Sequence, residues 1–204
     1  MPIIKPLKLE PTSDIKEFAA SVFQPKTFSI IYGPEGVGKT ALLYKLFYHR
    51  YKTNENENGL FIGLDNFECY QYHQTKISAA LGVSSIKEKF PSLDLIQFKK
   101  PDIFAVIFFH SLHILISTME THFILADGLN KFSNPSFLNR IIQQYLRQVA
   151  DCGIPVIITM DTKPELNHLT EFPAVKIQTF LLKRPEFLGG EITEFGDTLI
   201  MKDV

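Results

Sequence analysis

The residues best suited to chemistry in this sequence form a glycine-rich segment at 33–40, which reads GPEGVGKT. It matches the pattern G-x-x-x-x-G-K-[ST], in which backbone N–H groups and a lysine surround phosphate groups. An apolar run at 28–32 precedes it, and a run of helical composition at 41–47 follows it. A strand, a tight turn and a helix N-terminus favour anion binding, because the helix dipole attracts negative charge. The segment therefore predicts a phosphate-binding loop.

The side chains of this loop have distinct predicted roles. Lys39 would reach the β- and γ-phosphates of a nucleotide, and the Thr40 hydroxyl would bind Mg²⁺. A chance match to a glycine-rich turn is the alternative, which the flanking strand and helix disfavour. The predicted nucleotide-binding residues of the loop are Gly33, Pro34, Glu35, Gly36, Val37, Gly38, Lys39 and Thr40.

A second acidic motif follows another apolar strand. Residues 122–127 read HFILAD and end in Asp127. Downstream of a phosphate loop, such a carboxylate holds Mg²⁺ through its water shell. An aspartate that only caps a strand and begins a turn is the alternative. We expect Asp127 to contact the nucleotide and, with Thr40, to hold Mg²⁺.

Two further carboxylates are candidate general bases. Asp65 follows the apolar strand predicted at 59–64, and Glu68 lies one helical turn beyond it. Either carboxylate would be able to polarise an attacking water. Asp65 fits equally well as the N-cap of a helix predicted at 67–81. The sequence leaves the catalytic and the structural role open.

The nucleotide base is expected to be adenine. Residues 162–165 read TKPE, which only faintly echoes the guanine-reading pattern N/T-K-x-D. The chain also lacks D-x-x-G after Asp127, since Asn130 replaces the glycine. Asp161, after the strand predicted at 154–160, points at the same edge of the sheet and would be able to sense a γ-phosphate, although its carboxylate would repel it. ATP and Mg²⁺ are therefore the expected cofactors.

Composition indicates one globular domain within the cell. The 204 residues are 45% hydrophobic and 21% charged, with a net charge of −1, so no basic field attracts nucleic acid or acidic membranes. The apolar run at 103–116 is shorter than the roughly 20 residues of a membrane span. It predicts a buried helix beginning at Pro101. The separated Cys69 and Cys152 lack metal-binding spacing and indicate reduced thiols.

The order of the predicted elements favours an α/β fold with a mostly parallel sheet covered by helices on both faces. We expect one domain over 1–204, with 1–11 as an N-terminal extension and no separate N-terminal helical domain. From residue 172 onward, short extended runs around Pro185 and Gly189 predict antiparallel strands and a hairpin. Besides those already named, helices are predicted at 15–23 and 137–152 and after the phosphate loop, and strands at 93–98 and 121–126.

Taken in order, these segments resemble the ATPase core of the RecA-like recombinase family, in the form of its small paralogues. The resemblance spans roughly residues 12–204 and rests on the phosphate loop and on LFIGLD, HFILADGLNKF and the segments at 139–159 and 195–200. It implies a RecA-like P-loop NTPase fold, a mostly parallel sheet flanked by helices with C-terminal antiparallel strands. It also implies ATP and Mg²⁺ binding and a nuclear location.

The chain departs from the family pattern at functional positions. Asp65 stands where the family has its catalytic glutamate, and Met160 and Asp161 replace an Asn-Gln pair that couples nucleotide to DNA. The DNA-binding loops expected after Asp127 and Asp161 are short. The Phe-x-x-Ala polymerisation motif is missing, since Ser21 stands where its alanine would be. These departures imply weak or absent ATP hydrolysis and weak binding of single-stranded DNA by the chain alone.

The resemblance and the departures together imply an accessory recombinase paralogue. Such a subunit would assemble with other RecA-like paralogues or the recombinase and support recombinase loading on single-stranded DNA in homologous recombination and repair. No membrane partner is expected. One alternative is a stand-alone slow ATPase that uses Asp65 or Glu68 as base. The other is a structural RecA-fold subunit of an unrelated assembly.

Overall fold

A computed structural model of the chain describes residues 7–8, 14–63, 67–82, 84–85, 92–94, 112–118, 120–129, 135–163, 172–183 and 199–203. Within these ranges, helices lie against both faces of an eight-stranded sheet. The helices are α1 Asp14–Val22, α2 Lys39–Thr53, α3 Phe67–Leu81, α4 Leu112–Thr118 and α5 Pro135–Cys152. The strands are β1 Leu7–Lys8, β2 Thr27–Tyr32, β3 Asn58–Gly63, β4 Ser92–Asp94, β5 Thr121–Asp127, β6 Val156–Met160, β7 Lys176–Lys183 and β8 Leu199–Asp203.

The sheet is parallel through its centre. Its strand order is β1-β8-β7-β2-β6-β5-β3-β4. Every pairing from β7 to β4 is parallel, whereas β8 pairs antiparallel with both β7 and β1. Because parallel neighbours share a direction, the carboxyl ends of β2, β6, β5 and β3 lie along one edge. The predicted α/β fold with a mostly parallel sheet between helices is confirmed.

Alternate residues of each central strand enter different cores. On β5, Ile124 and Ala126 belong to an apolar cluster that includes α5. Phe123 and Leu125 belong to a second cluster, which includes α1 and α2. All four side chains are almost completely shielded from solvent. Because both faces of the strand are covered, residues 123–126 are apolar in succession instead of alternating with polar residues.

Aromatic packing fixes α3 against the end of β3. The ring of Tyr44 in α2 lies 4.9 Å from the Phe61 ring and stacks 5.3 Å from His73. A Cβ atom at Gly63 would come within 2.3 Å of Tyr70 Cε2, so this close approach needs glycine. Burial, with the charge of Lys76, lowers the pKa of His73, so the imidazole is neutral near pH 7.

Several predicted boundaries agree closely with the structure. Helix α3 occupies the predicted residues, and Gly82 after it has φ +69°, as expected for a C-terminal glycine cap. The predicted strand at 121–126 is β5, which extends one residue further to Asp127. The helix predicted at 137–152 begins earlier, at Pro135. Proline fits the first turn of a helix, where its missing N–H has no intrahelical acceptor to lose.

Other predicted segments lie partly outside the described residues. The apolar helix predicted from Pro101 is described only over α4, and β4 covers only the start of the strand predicted at 93–98. The predicted hairpin around Gly189 falls in the undescribed range 184–198. Residues 7–8, within the predicted extension, form β1. No helix in the described ranges is long and apolar enough to cross a membrane. Cys152, at the end of α5, is a free and exposed cysteine.

Truncating a buried side chain of β5 should destabilise the domain much more than the same loss at the surface. We expect Leu125→Ala to lower the free energy of unfolding by about 2–5 kcal/mol, because it leaves a cavity in a fully buried site. Ile114 in α4 is 55% exposed, so Ile114→Ala should change the free energy of unfolding by less than about 1 kcal/mol. Equilibrium urea denaturation of both variants measures the difference. Equal losses would contradict the assigned core.

Candidate functional site

The candidate site lies at the carboxyl edge of three adjacent strands. The glycine-rich loop follows β2, Asp127 ends β5, and Asp161 follows β6. Strand β6 lies between β2 and β5, with Tyr32 opposite Met160 and Ala126 opposite Ile158. The sheet therefore gathers residues that are far apart in the sequence.

The loop backbone depends on glycine at its turns. Gly36 has φ +73° and Gly38 has φ +97°, both in the left-handed region that favours glycine. Gly38 is also the N-cap residue of α2. Because glycine has no side chain, it supplies no side-chain acceptor to the first N–H groups of the helix. At Gly33, a Cβ atom would lie 2.4 Å from the carbonyl oxygen of Leu182 in β7. The start of the loop therefore lies directly against the neighbouring strand.

Lys39 is folded back over the start of the loop. Its Nζ donates hydrogen bonds to the carbonyl oxygens of Gly33, at 2.7 Å, and Pro34, at 2.9 Å. It also lies 2.9 Å from Asp161 Oδ1. The residue is only 9% exposed, and these three acceptors satisfy the three N–H donors of its ammonium group. Asp161 thus lies at the predicted edge, in an ion pair with the loop lysine.

The two predicted Mg²⁺ ligands are in direct contact. Thr40 Oγ1 donates a hydrogen bond of 2.6 Å to Asp127 Oδ2, across a sequence separation of 87 residues. Mg²⁺ prefers hard oxygen donors, and a hydroxyl beside a carboxylate at the start of α2 fits that preference. In the described ranges, no three His, Cys, Asp or Glu side chains come together to hold a metal ion. One hydroxyl and one carboxylate fit Mg²⁺ that is bound together with a nucleotide, because Mg²⁺ in such sites takes few protein ligands and completes its shell with phosphate oxygens and water.

Thr159 completes the site and was not predicted from the sequence as a site residue. Its Oγ1 donates a 2.5 Å hydrogen bond to Asp127 Oδ1 and accepts one of 3.0 Å from the Gly128 N–H. Thr159 is fully buried, and Asp127 is only 2% exposed. Because a buried carboxylate is costly without donors, Thr159 holds Asp127 in one orientation. The available sequence signal was a hydroxyl residue within an otherwise apolar strand.

The other predicted loop residues divide between solvent and core. Pro34, Glu35 and Gly36 are exposed, as a loop that receives a ligand requires. Val37 instead has its side chain in the core beneath α2, so only its backbone is available to a phosphate. The predicted loop is thus anchored at Val37 and open at its tip.

The side chains of the two candidate general bases lie outside the described part of the structure. Asp65 lies outside the described residues. Glu68 belongs to the first turn of α3, but its side chain is not described. Gly63, the last residue of β3, is opposite Asp127, so the chain leaves β3 at the same edge as the site. The catalytic roles of Asp65 and Glu68 stay predictions.

No family model matches this chain, and no curated protein matches it.

Removing the Thr159 hydroxyl should destabilise the protein, whereas the same change at Thr27 should not. Thr159→Val deletes one donor to the buried Asp127 carboxylate and the acceptor of the Gly128 N–H. We expect the free energy of unfolding to fall by about 1–3 kcal/mol. Thr27 is also fully buried, but its hydroxyl has no hydrogen-bond partner in the described structure.

Thr27→Val is therefore the matched control, because the hydroxyl that it removes is buried without a partner. We expect its free energy of unfolding to be unchanged or higher, since a methyl group buries at no polar cost. Urea denaturation of both variants provides the comparison. A smaller loss for Thr159→Val than for Thr27→Val would refute the positioning role of Thr159.

Proposed function

We propose that this protein binds ATP with Mg²⁺ at the loop 33–40. The observation that carries the proposal is the contact between Thr40 and Asp127, with the Lys39 ammonium folded over the same loop. Three residues from two separate sequence motifs meet at the edge where ligands of parallel sheets bind. A glycine-rich turn that matched the motif by chance would give no reason for this meeting.

Each residue of the site supplies a different part of nucleotide binding. The N–H groups of the loop and of the first turn of α2 present partial positive charge to phosphate oxygens. Lys39 supplies one full positive charge, and Thr40 with Asp127 would hold Mg²⁺. When bound, Mg²⁺ neutralises the charge of the phosphate oxygens. The buried hydrogen bond from Thr159 keeps the Asp127 carboxylate aimed at Thr40.

We propose further that the chain is an accessory RecA-like recombinase paralogue. The motif resemblance supports this. The mostly parallel sheet flanked by helices is compatible with that family, and its order places β6 between β2, which leads into the phosphate loop, and β5, which ends in Asp127. The protein would act in the nucleus as part of a hetero-oligomer that supports recombinase loading on single-stranded DNA.

The end of β6 supports an accessory role over strand exchange. Met160 is 2% exposed, and Asp161 pairs with Lys39. In the family that the chain resembles, this position carries the Asn-Gln pair that couples nucleotide to DNA. Here one of the two side chains lies in the core and the other contacts the phosphate loop. We therefore propose that ATP contributes to assembly with partners and that its hydrolysis is weak or absent.

A stand-alone slow ATPase is a second candidate function. The observation that favours it is that Lys39, Thr40 and Asp127 lie together at the glycine-rich loop, where an ATPase would use them to bind phosphate and Mg²⁺. The purified protein would then show turnover that Asp127→Asn abolishes. Turnover no greater than that of a Lys39→Ala variant would rule this candidate out. The structural-subunit alternative is weaker, because a protein without a ligand has no use for the loop glycines and the positioned lysine.

Lys39→Ala should abolish ATP binding without unfolding the protein. The variant removes a charge-assisted contact to phosphate, and we expect the dissociation constant for ATP to rise by about 100-fold or more. Isothermal titration calorimetry in the presence of Mg²⁺ measures it, with circular dichroism to check folding. Lys52→Ala is the matched control, because Lys52 is an exposed lysine in the last turn of the same helix. Equal affinities for the two variants would contradict the proposed site.

Partner capture tests the accessory role. A tagged wild-type protein and the Lys39→Ala variant are recovered from native extract, and mass spectrometry identifies the co-purifying proteins. We expect RecA-like proteins or their loading factors with the wild type and fewer of them with the variant. Filaments formed by the isolated protein on single-stranded DNA would refute the accessory role. Partners from an unrelated assembly would favour the structural alternative.

A further inference from the structure

Lys39 faces a carboxylate of the protein at the place where it would meet a phosphate. Its Nζ lies 2.9 Å from Asp161 Oδ1 and also donates to the Gly33 and Pro34 carbonyl oxygens. An ammonium has three donors, so these acceptors match its whole capacity. A nucleotide phosphate can gain this lysine only by displacing one of them.

The ion pair is partly shielded from water. The Lys39 side chain is 10% exposed and that of Asp161 is 33% exposed. Charges in such a place interact more strongly than a pair on the open surface, because water screens them less. The Asp161 carboxylate therefore reduces the positive charge that Lys39 presents to a ligand.

The backbone holds Asp161 beside the loop. The N–H of Gly33 donates a 3.2 Å hydrogen bond to the carbonyl oxygen of Met160, the residue before Asp161. The Met160 side chain is 2% exposed and packs in the core under β6. Because β6 and the start of the loop are tied at this point, a carboxylate at residue 161 stays close to bound phosphates even when it leaves Lys39.

We propose that Asp161 is a specificity-determining residue that weakens nucleotide binding, and weakens it more for ATP than for ADP. This inference rests on the proposed function. The carboxylate competes with phosphate for Lys39 and repels the phosphate charge. ATP carries one more negative charge than ADP, so the repulsion is larger for ATP. With Asp161 in place, the site discriminates only weakly between the two nucleotides.

Neutralising Asp161 should strengthen binding. We expect Asp161→Asn to lower the dissociation constant for Mg-ATP by about tenfold and that for Mg-ADP by less, on the order of threefold. Asp161→Ala should act in the same direction, and it replaces Asp161→Asn if that variant does not fold. Asp161→Glu retains the charge and should bind both nucleotides about as the wild type does. Isothermal titration calorimetry of the full chain with each nucleotide provides the values.

Asp151→Asn controls for the change in net charge. Asp151 is exposed near the end of α5, which leads to the start of β6 and therefore lies at the opposite edge of the sheet. This variant should bind ATP and ADP as the wild type does. If it strengthened binding as much as Asp161→Asn does, the effect would be one of overall charge and the inference would be wrong.

The outcomes separate this inference from the proposed function. A larger gain in affinity for ATP than for ADP in the neutral variants, relative to the wild type, supports it. If only the neutral variants bind measurably, tighter binding of ATP than of ADP by them supports it. Unchanged or weaker binding by folded neutral variants overturns it, while loss of binding in Lys39→Ala leaves the proposed function standing. An equal gain for ATP and ADP overturns the predicted discrimination. If no folded variant and no wild-type protein binds either nucleotide, both proposals fail.

Discussion

The site depends on one buried carboxylate. Asp127 is 2% exposed, and a carboxylate so far from water is stable only with hydrogen-bond donors around it. Thr40 of α2 and Thr159 of β6 supply them. These two bonds tie the helix after the glycine-rich loop and two neighbouring strands to one point. Because the buried Asp127 carboxylate needs hydrogen-bond donors, it brings together α2, β5 and β6, the elements from which we infer nucleotide binding.

A second charge governs how strongly the site would attract a ligand. Lys39 is the cation of the loop, and its Nζ is held between two loop carbonyl groups and Asp161. The glycine turns and the N-terminus of α2 add partial positive charge that no side chain of the Gly38 cap offsets. The Asp161 carboxylate opposes this attraction of the site for phosphate groups. Weakened nucleotide binding is compatible with the proposed accessory role, in which the nucleotide contributes more to assembly than to chemistry.

Prediction from sequence worked best where one residue type has one physical meaning. Gly82 marks the end of α3, because the left-handed conformation there favours glycine. The apolar run that forms β5 indicated a strand covered on both faces. Prediction from sequence worked less well where a segment forms a strand only because it pairs with a strand that is distant in the sequence. Leu7–Lys8 forms a strand because β8 is its neighbour, and two residues carry no periodicity that would reveal it.

By itself the sequence determined the glycine-rich turn between a strand and a helix, the strand that ends in Asp127 and the α/β class of the fold. The reason is that these features are local: a turn, a helix start and a buried strand each have a composition that short-range sterics and burial require. Only the tertiary structure decided that Thr159 holds Asp127 and that Asp161 pairs with Lys39. Both contacts exist because β6 lies between β2 and β5. Strand order is set by packing of the whole sheet, which no short segment of the chain encodes.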